Sequence, residues 1–194
     1  MSETYKLRLR FLDIARRDKG RVEETKNRAP WISKFWPATS YPEGYDMNTE
    51  PYHGRAPYCA AAVAYWVREW LRDPEVLQAF GMDAAQAEQW RCKSAGAFEW
   101  VNWARKRGLQ VLNPHAILHA GDLVVYSYSH IEVVTDDDNT TEGPYVAIGA
   151  NTNAAASRDG EGCFEKPRWY STPSLSSTWT CIDPSGNVAR TYQA

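Results

Sequence analysis

Cys59 stands where a turn becomes a helix, in the stretch Ala56-Pro57-Tyr58-Cys59-Ala60-Ala61-Ala62-Val63-Ala64-Tyr65-Trp66. Pro57 disfavours helix in the residue before it, and the alanine-rich run that follows is strongly helix-forming. Cys59 therefore falls in the first turn of a helix, where backbone N–H groups without intrahelical acceptors and the positive dipole end favour an anion. A thiolate is such an anion. Its pKa is lowered in that setting, which makes it a nucleophile near neutral pH and points to the chemistry of a cysteine hydrolase.

A thiol nucleophile needs a group that takes its proton and later protonates the leaving amine, and histidine suits both steps. Four are present. His53 lies just upstream of Cys59, a proximity that says little by itself. His115 and His119 flank a loop before Gly121 and read as surface residues. His130 opens the run His130-Ile131-Glu132-Val133-Val134, after Tyr126-Ser127-Tyr128-Ser129. A histidine at the start of an inner strand can be held rigidly against a helix N-terminus packed on the sheet. Such a base is usually oriented by a third polar group. Asn151 ends the next strand, Ala147-Ile148-Gly149-Ala150-Asn151-Thr152, and is placed for that role. On the residues alone, a buried structural cysteine and a structural histidine remain the rival reading.

The elements that must position these groups follow from periodicity and punctuation. Leu7, Phe11, Ile14 and Ala15 recur at helical spacing, which predicts an amphipathic helix over 6–19. From Asn27 to Pro57, prolines, glycines and aromatics alternate, predicting a long ordered loop that leads to the cysteine. A helix is expected from Cys59 to about Arg72, short helices over 74–80 and 84–90, and another from about Ser94 to Lys106 ended by Gly108. The texture then changes to β-rich runs at 109–112, 122–126, 130–135, 145–150 and 162–169. The tail from Ser171 carries no clear signal. Helices first and an antiparallel sheet afterwards describe an α+β fold, with the N-terminal helices packed on a central sheet.

At 194 residues the chain fits one domain, 1–194, with the chemistry-bearing core at about 56–168 and a helical and loop part over 1–55. Hydrophobic residues make up 43% and charged residues 24%, the mix of a globular protein. A net charge of −2 gives no global attraction to nucleic acid or anionic membrane. Lys6 to Arg28 is rich in Lys and Arg, and His130 to Glu165 in Asp and Glu, which reads as two solvated faces of opposite sign. No run is long and apolar enough for a membrane span, and Met-Ser-Glu-Thr-Tyr-Lys-Leu-Arg-Leu-Arg lacks the apolar core of a signal peptide. Synthesis in the cytosol is expected, with any extracytoplasmic target reached by lysis, a holin or an injection machine. Cys59, Cys92, Cys163 and Cys181 show no zinc spacing, so no metal or cofactor is expected. A Cys163–Cys181 disulfide would suit work outside the cytosol, with free buried thiols the state at synthesis. The acidic run Asp136-Asp137-Asp138 reads as a solvated hairpin tip rather than a calcium site.

Five stretches resemble the CHAP amidohydrolase/peptidase family, in the family's order. Ala56 to Val63 is similar to its nucleophile motif, Ala120-Gly121-Asp122-Leu123-Val124-Val125-Tyr126 to its G-D-(I/L)-V-V-F strand, and Ser129-His130-Ile131-Glu132-Val133-Val134 to its (S/G)-H-V-G-I-V strand. Ile148-Gly149-Ala150-Asn151-Thr152 resembles I-E-G-N-T, and Ala156 to Phe164 the G-S-R-D-G-x-G-V turn of phage-type members. The resemblance implies a papain-like α+β domain with Cys59 as nucleophile, His130 as general base and Asn151 orienting the imidazole. It implies cleavage of a peptide or amide bond in peptidoglycan, by an endopeptidase or an N-acetylmuramoyl-L-alanine amidase. Many members carry Glu where this chain has Gly149, and Gly where it has Glu132. Asn151 is thus the matching third residue, and Glu132 the less favoured substitute. The Cys59 N–H is expected to bind the oxyanion, with the Tyr58 side chain or another loop group beside it. Tyr58, Trp36 and Tyr52 are expected to contact substrate, with Trp31, Tyr41 and Tyr45 as further walls of the groove. The setting would be a phage lysin or an antibacterial effector injected through, for example, a type VI apparatus, acting as a monomer. An effector would have an immunity protein as partner. A catalytically inactive binding module and a protein-directed protease or deamidase are the alternatives.

Overall fold

The computed structural model describes residues 3–41, 56–112, 116–137, 144–153 and 160–169, together with the backbone of 175–180. Helix α1 spans Glu3–Arg16 and buries Leu7, Phe11, Leu12, Ile14 and Ala15 along one stripe. The stretch expected to be loop contains a 3₁₀ helix, Pro30–Ala38. Pro30 starts it, and three residues per turn stack Ile32, Phe35 and Ala38 on one buried edge, a period that a search for 3.6 passes over.

Helix α2, Cys59–Trp70, is the hub of the core. Its alanines at 60, 61, 62 and 64 are wholly buried and let neighbours approach closely, while Trp66 and Trp70 anchor it. The Trp70 indole donates to the Leu7 carbonyl at 2.9 Å, and the Trp66 indole to buried Asp18 at 2.9 Å. Both bonds fix α2 against α1 and the turn that follows it. Helices α3 (Pro74–Phe80) and α4 (Ala84–Trp90) begin at aspartate caps, Asp73 and Asp83, the second within a capping box with Gln86. Helix α5 spans Ala97–Lys106.

Strands β1 (Val111–Leu112), β2 (Asp122–Tyr126), β3 (His130–Val134), β4 (Pro144–Thr152), β5 (Gly162–Trp169) and β6 (Leu175–Thr180) form one antiparallel sheet ordered β1-β6-β2-β3-β4-β5. The fold is α+β, with helices preceding the sheet. Strand β6, unsignalled in the sequence, inserts between β1 and β2. Period-two alternation splits the sheet residues between two buried sides. Leu123, Val125, Ile131, Val133, Ile148, Ala150 and Cys163 join the helical core, and Val124, Tyr126, Val134, Tyr145 and Ala147 form a second cluster with Leu118. Helix α2 packs on β3 and β4. A buried ion pair, Arg8 to Asp122 at 2.8 Å, ties α1 to the start of β2. Among the described residues no helix is long and apolar enough to cross a membrane.

Candidate active site

Cys59 occupies the first position of α2, and the residue before it, Tyr58, makes no side-chain cap. The first-turn N–H groups are therefore not consumed by the usual Ser, Thr, Asp or Asn oxygen. The N–H groups of Ala60 and of Ile131 from β3 both favour a negative charge on the Cys59 sulfur. The chain reaches β3 through a three-residue hairpin, Ser127–Ser129, in which the Ser129 N–H bonds to the Tyr126 carbonyl at 3.0 Å and Ser129 takes φ 63°. That turn fixes Tyr126 opposite His130. It also makes His130 the first residue of a strand flanked by β2 and β4, so the histidine opens an inner strand.

Cys59 and His130 meet side chain to side chain, and both are buried. His130 Nε2 faces Glu132 Oε1 at 3.1 Å, and Nδ1 has no hydrogen-bond partner among the described residues, which leaves it for the thiol. Burial opposes the thiolate, but the charge and hydrogen bond of His130 with the two backbone N–H groups outweigh it and hold Cys59 below its ordinary value. Burial likewise works against the imidazolium, and the Cys59 thiolate and Glu132 carry His130 up to about 9. Both shifts favour a thiolate beside an imidazolium at a helix N-terminus.

The imidazole's partner corrects the expectation for Asn151. Glu132, one residue past Ile131 on His130's own strand, lies against Nε2, where Asn151 was expected. Glu132 is wholly buried and accepts from the Tyr126 hydroxyl at 3.0 Å, from Arg168 Nε at 2.6 Å and from Arg168 Nη2. Burial pushes its carboxyl up, but the bonds from His130 and Arg168 prevail and bring it to about 2. Asn151 is buried at the β4 bulge with φ 56°, a left-handed geometry that asparagine tolerates. Its backbone N–H bonds to the Tyr58 hydroxyl.

Two residues expected to contact substrate lie in the core instead. Tyr58 is 0% exposed, its ring against Trp31 and Phe35 and its hydroxyl donating to Glu23 at 2.9 Å. Trp36, also in the 3₁₀ helix, is 1% exposed. The Tyr58 hydroxyl is thereby committed away from an oxyanion. Phe35 and Tyr58 pack between the 3₁₀ helix and α2, so burial rather than a groove accounts for them. Tyr52, Tyr45, His53, His115, Arg158, Asp159 and Cys181 lie outside the described residues. Trp31 is partly buried with its indole on the Val22 carbonyl, and Tyr41 is exposed beside Trp36. His119 sits 3.3 Å from Asp137, which also accepts from the Ala120 N–H. Asp137 thus closes the turn before β2 as well as belonging to the acidic loop. Cys92 and Cys163 are buried free thiols whose pKa values burial raises.

Sequence reasoning passed over Arg168, Tyr126, Tyr145 and Tyr128. The Tyr126 and Tyr145 hydroxyls bond at 2.9 Å, and the half-buried Tyr128 ring stacks on the imidazole at 5.9 Å between centroids and 17° between planes. Only Glu132 carried a readable signal, since residues two apart on a strand share a face. Comparison with protein-family models, with curated proteins and with solved structures gives no match.

Proposed function

We propose that the chain is a thiol hydrolase of papain-like, CHAP-type architecture that cleaves an amide bond in the peptide part of peptidoglycan. The observation that carries this reading is the buried Cys59–His130 pair at the N-terminus of α2. Its supports are the helix-then-sheet order and the five motif stretches over about 56–168. The Cys59 thiolate attacks the scissile carbonyl carbon, and the oxyanion lies against the Cys59 N–H, which has no acceptor within the helix. His130, as imidazolium, gives its proton to the departing amine. A thioester remains, and water activated by the now neutral His130 hydrolyses it to restore thiolate and imidazolium. The enzyme acts as a bacteriolytic protein, in a phage lysin or an injected effector whose partner would be an immunity protein.

Digestion of purified peptidoglycan by the wild type and by Cys59→Ala, with products resolved by mass spectrometry, tests this. Muropeptides cut at one amide by the wild type alone are the expected result. Sacculi of several chemotypes left intact by both proteins would overturn it.

A further inference from the structure

We propose that Glu132 is the positioning residue of the Cys59–His130 pair, and that Gly149 is a glycine because the carboxylate it faces is supplied from the neighbouring strand. The inference rests on the thiol-hydrolase reading and assigns a role that the matching motifs give to other residues.

The register places the two positions together. Val133 pairs with Ile148 and Val134 with Ala147, so the next antiparallel step sets Glu132 opposite Gly149. A Cβ on residue 149 would lie 2.8 Å from Glu132 Cδ, 2.6 Å from its Cγ and nearer still to Oε1. Real Cβ atoms do not approach so closely, so the Glu132 side chain occupies the place that a side chain at 149 would need.

Arg168 adds a second constraint. It lies on β5 opposite Tyr145, two strands from Glu132, yet its guanidinium bonds both carboxylate oxygens. Strands stand about 4.8 Å apart, so the arginine must reach over β4. On that side β4 presents Ala147 and Gly149 beyond Tyr145, and small residues are what leave the passage open. Among the described residues each carboxylate oxygen has two partners: Oε1 has His130 and Arg168, and Oε2 has Arg168 and the Tyr126 hydroxyl. A carboxylate held at both oxygens cannot turn away from Nε2. It keeps that nitrogen protonated and leaves Nδ1 directed at the thiol.

A buried ion pair that merely stabilised the core would share this geometry, so the test must read the thiol. The rate of Cys59 alkylation by iodoacetamide is followed from pH 5 to pH 10 in the wild type, Glu132→Gln, Glu132→Gly and the double variant Glu132→Gly/Gly149→Glu. Circular dichroism first establishes which are folded. The double variant returns a carboxylate to the same place from the opposite strand, and Glu132→Gln keeps the shape without the charge. We expect folded Glu132→Gln to alkylate about tenfold or more slowly at pH 6, since each pKa unit regained by the thiol is a factor of ten in thiolate. We expect the double variant to recover to within about threefold of wild type. A folded Glu132→Gln with the wild-type profile would overturn the proposal, as would a folded double variant no faster than Glu132→Gly. A wild-type profile with the ordinary thiol inflection would instead sink the thiolate–imidazolium pair itself. A Glu132-dependent profile without any cut in peptidoglycan would leave this inference standing and remove only the substrate.

Discussion

Raising the pH through 9 should separate two properties of Cys59 that rise together at lower pH. His130 is carried from an ordinary 6.5 to about 9, a preference for the imidazolium of about 3 kcal/mol. Because its value is raised, its proton is in place below about 9 and lost above, and with it the donor for the leaving amine. Cys59 is shifted the other way, below its ordinary value, so its thiolate is already formed where His130 loses its proton. Alkylation needs only the thiolate and should continue undiminished beyond pH 9. Amide hydrolysis needs both groups and should fall along an alkaline limb centred near 9. His130→Ala removes the principal stabiliser of the thiolate and leaves a buried thiol at about 8.5 or higher. At pH 6.5 such a thiol is about 1% ionised, so alkylation should drop about tenfold for each pKa unit by which His130 had lowered it. The assay pairs timed iodoacetamide labelling, read by intact mass, with release of amines from digested sacculi over the same pH series. A hydrolysis limb near 6.5, or a His130→Ala protein labelled at the wild-type rate at pH 6.5, would refute the coupling.

Glu132 should also govern stability in acid. Its value is about 2 in the fold against an ordinary 4.5, so its stabilising contribution is present above about 4.5 and lost as the pH falls towards 2. Integrated, the difference is about 3 kcal/mol, and urea midpoints between pH 2.5 and 6 should slope less in Glu132→Gln than in the wild type. Equal slopes would show that another carboxylate sets the acid limb. Tyr58→Phe should cost about 1 kcal/mol by chemical denaturation, through the lost bond to Glu23, with the Cys59 labelling rate unchanged. A fall in labelling comparable to that of His130→Ala would return Tyr58 to the reacting atoms.

The helices were legible because their ends carry local chemistry. Asp73 and Asp83 cap α3 and α4, and Gly81 closes α3 in the left-handed conformation. The 3₁₀ helix was hidden by its composition: Pro30, Trp31, Trp36 and Pro37 read as loop, and the apolar spacing of three fits neither a 3.6 nor a 2.0 period. Strand β6 was hidden for a different reason. Leu175–Thr180 is rich in serine and threonine, and its place between β1 and β2 is set by partners far upstream in the chain. Non-local pairing leaves no local mark.

The same distinction divides the site. Cys59 was readable because a proline, a helix-forming run and a thiol stand within a few residues, and each acts on the next. His130 was readable through strand order, which places it within reach of a helix packed on the sheet. Its carboxylate partner could not be chosen that way, because Asn151 and Glu132 are both polar groups close in the fold and strand order does not rank them. What ranks them is the cross-strand register, and register appears in the sequence only as a pair of departures, a glutamate at 132 and a glycine at 149, seventeen residues apart. Taken singly, Gly149 looks like the loss of a functional side chain and Glu132 like a charge out of place on a buried strand. Set opposite one another on adjacent strands, each is the condition for the other: the glutamate needs the space, and the glycine provides it.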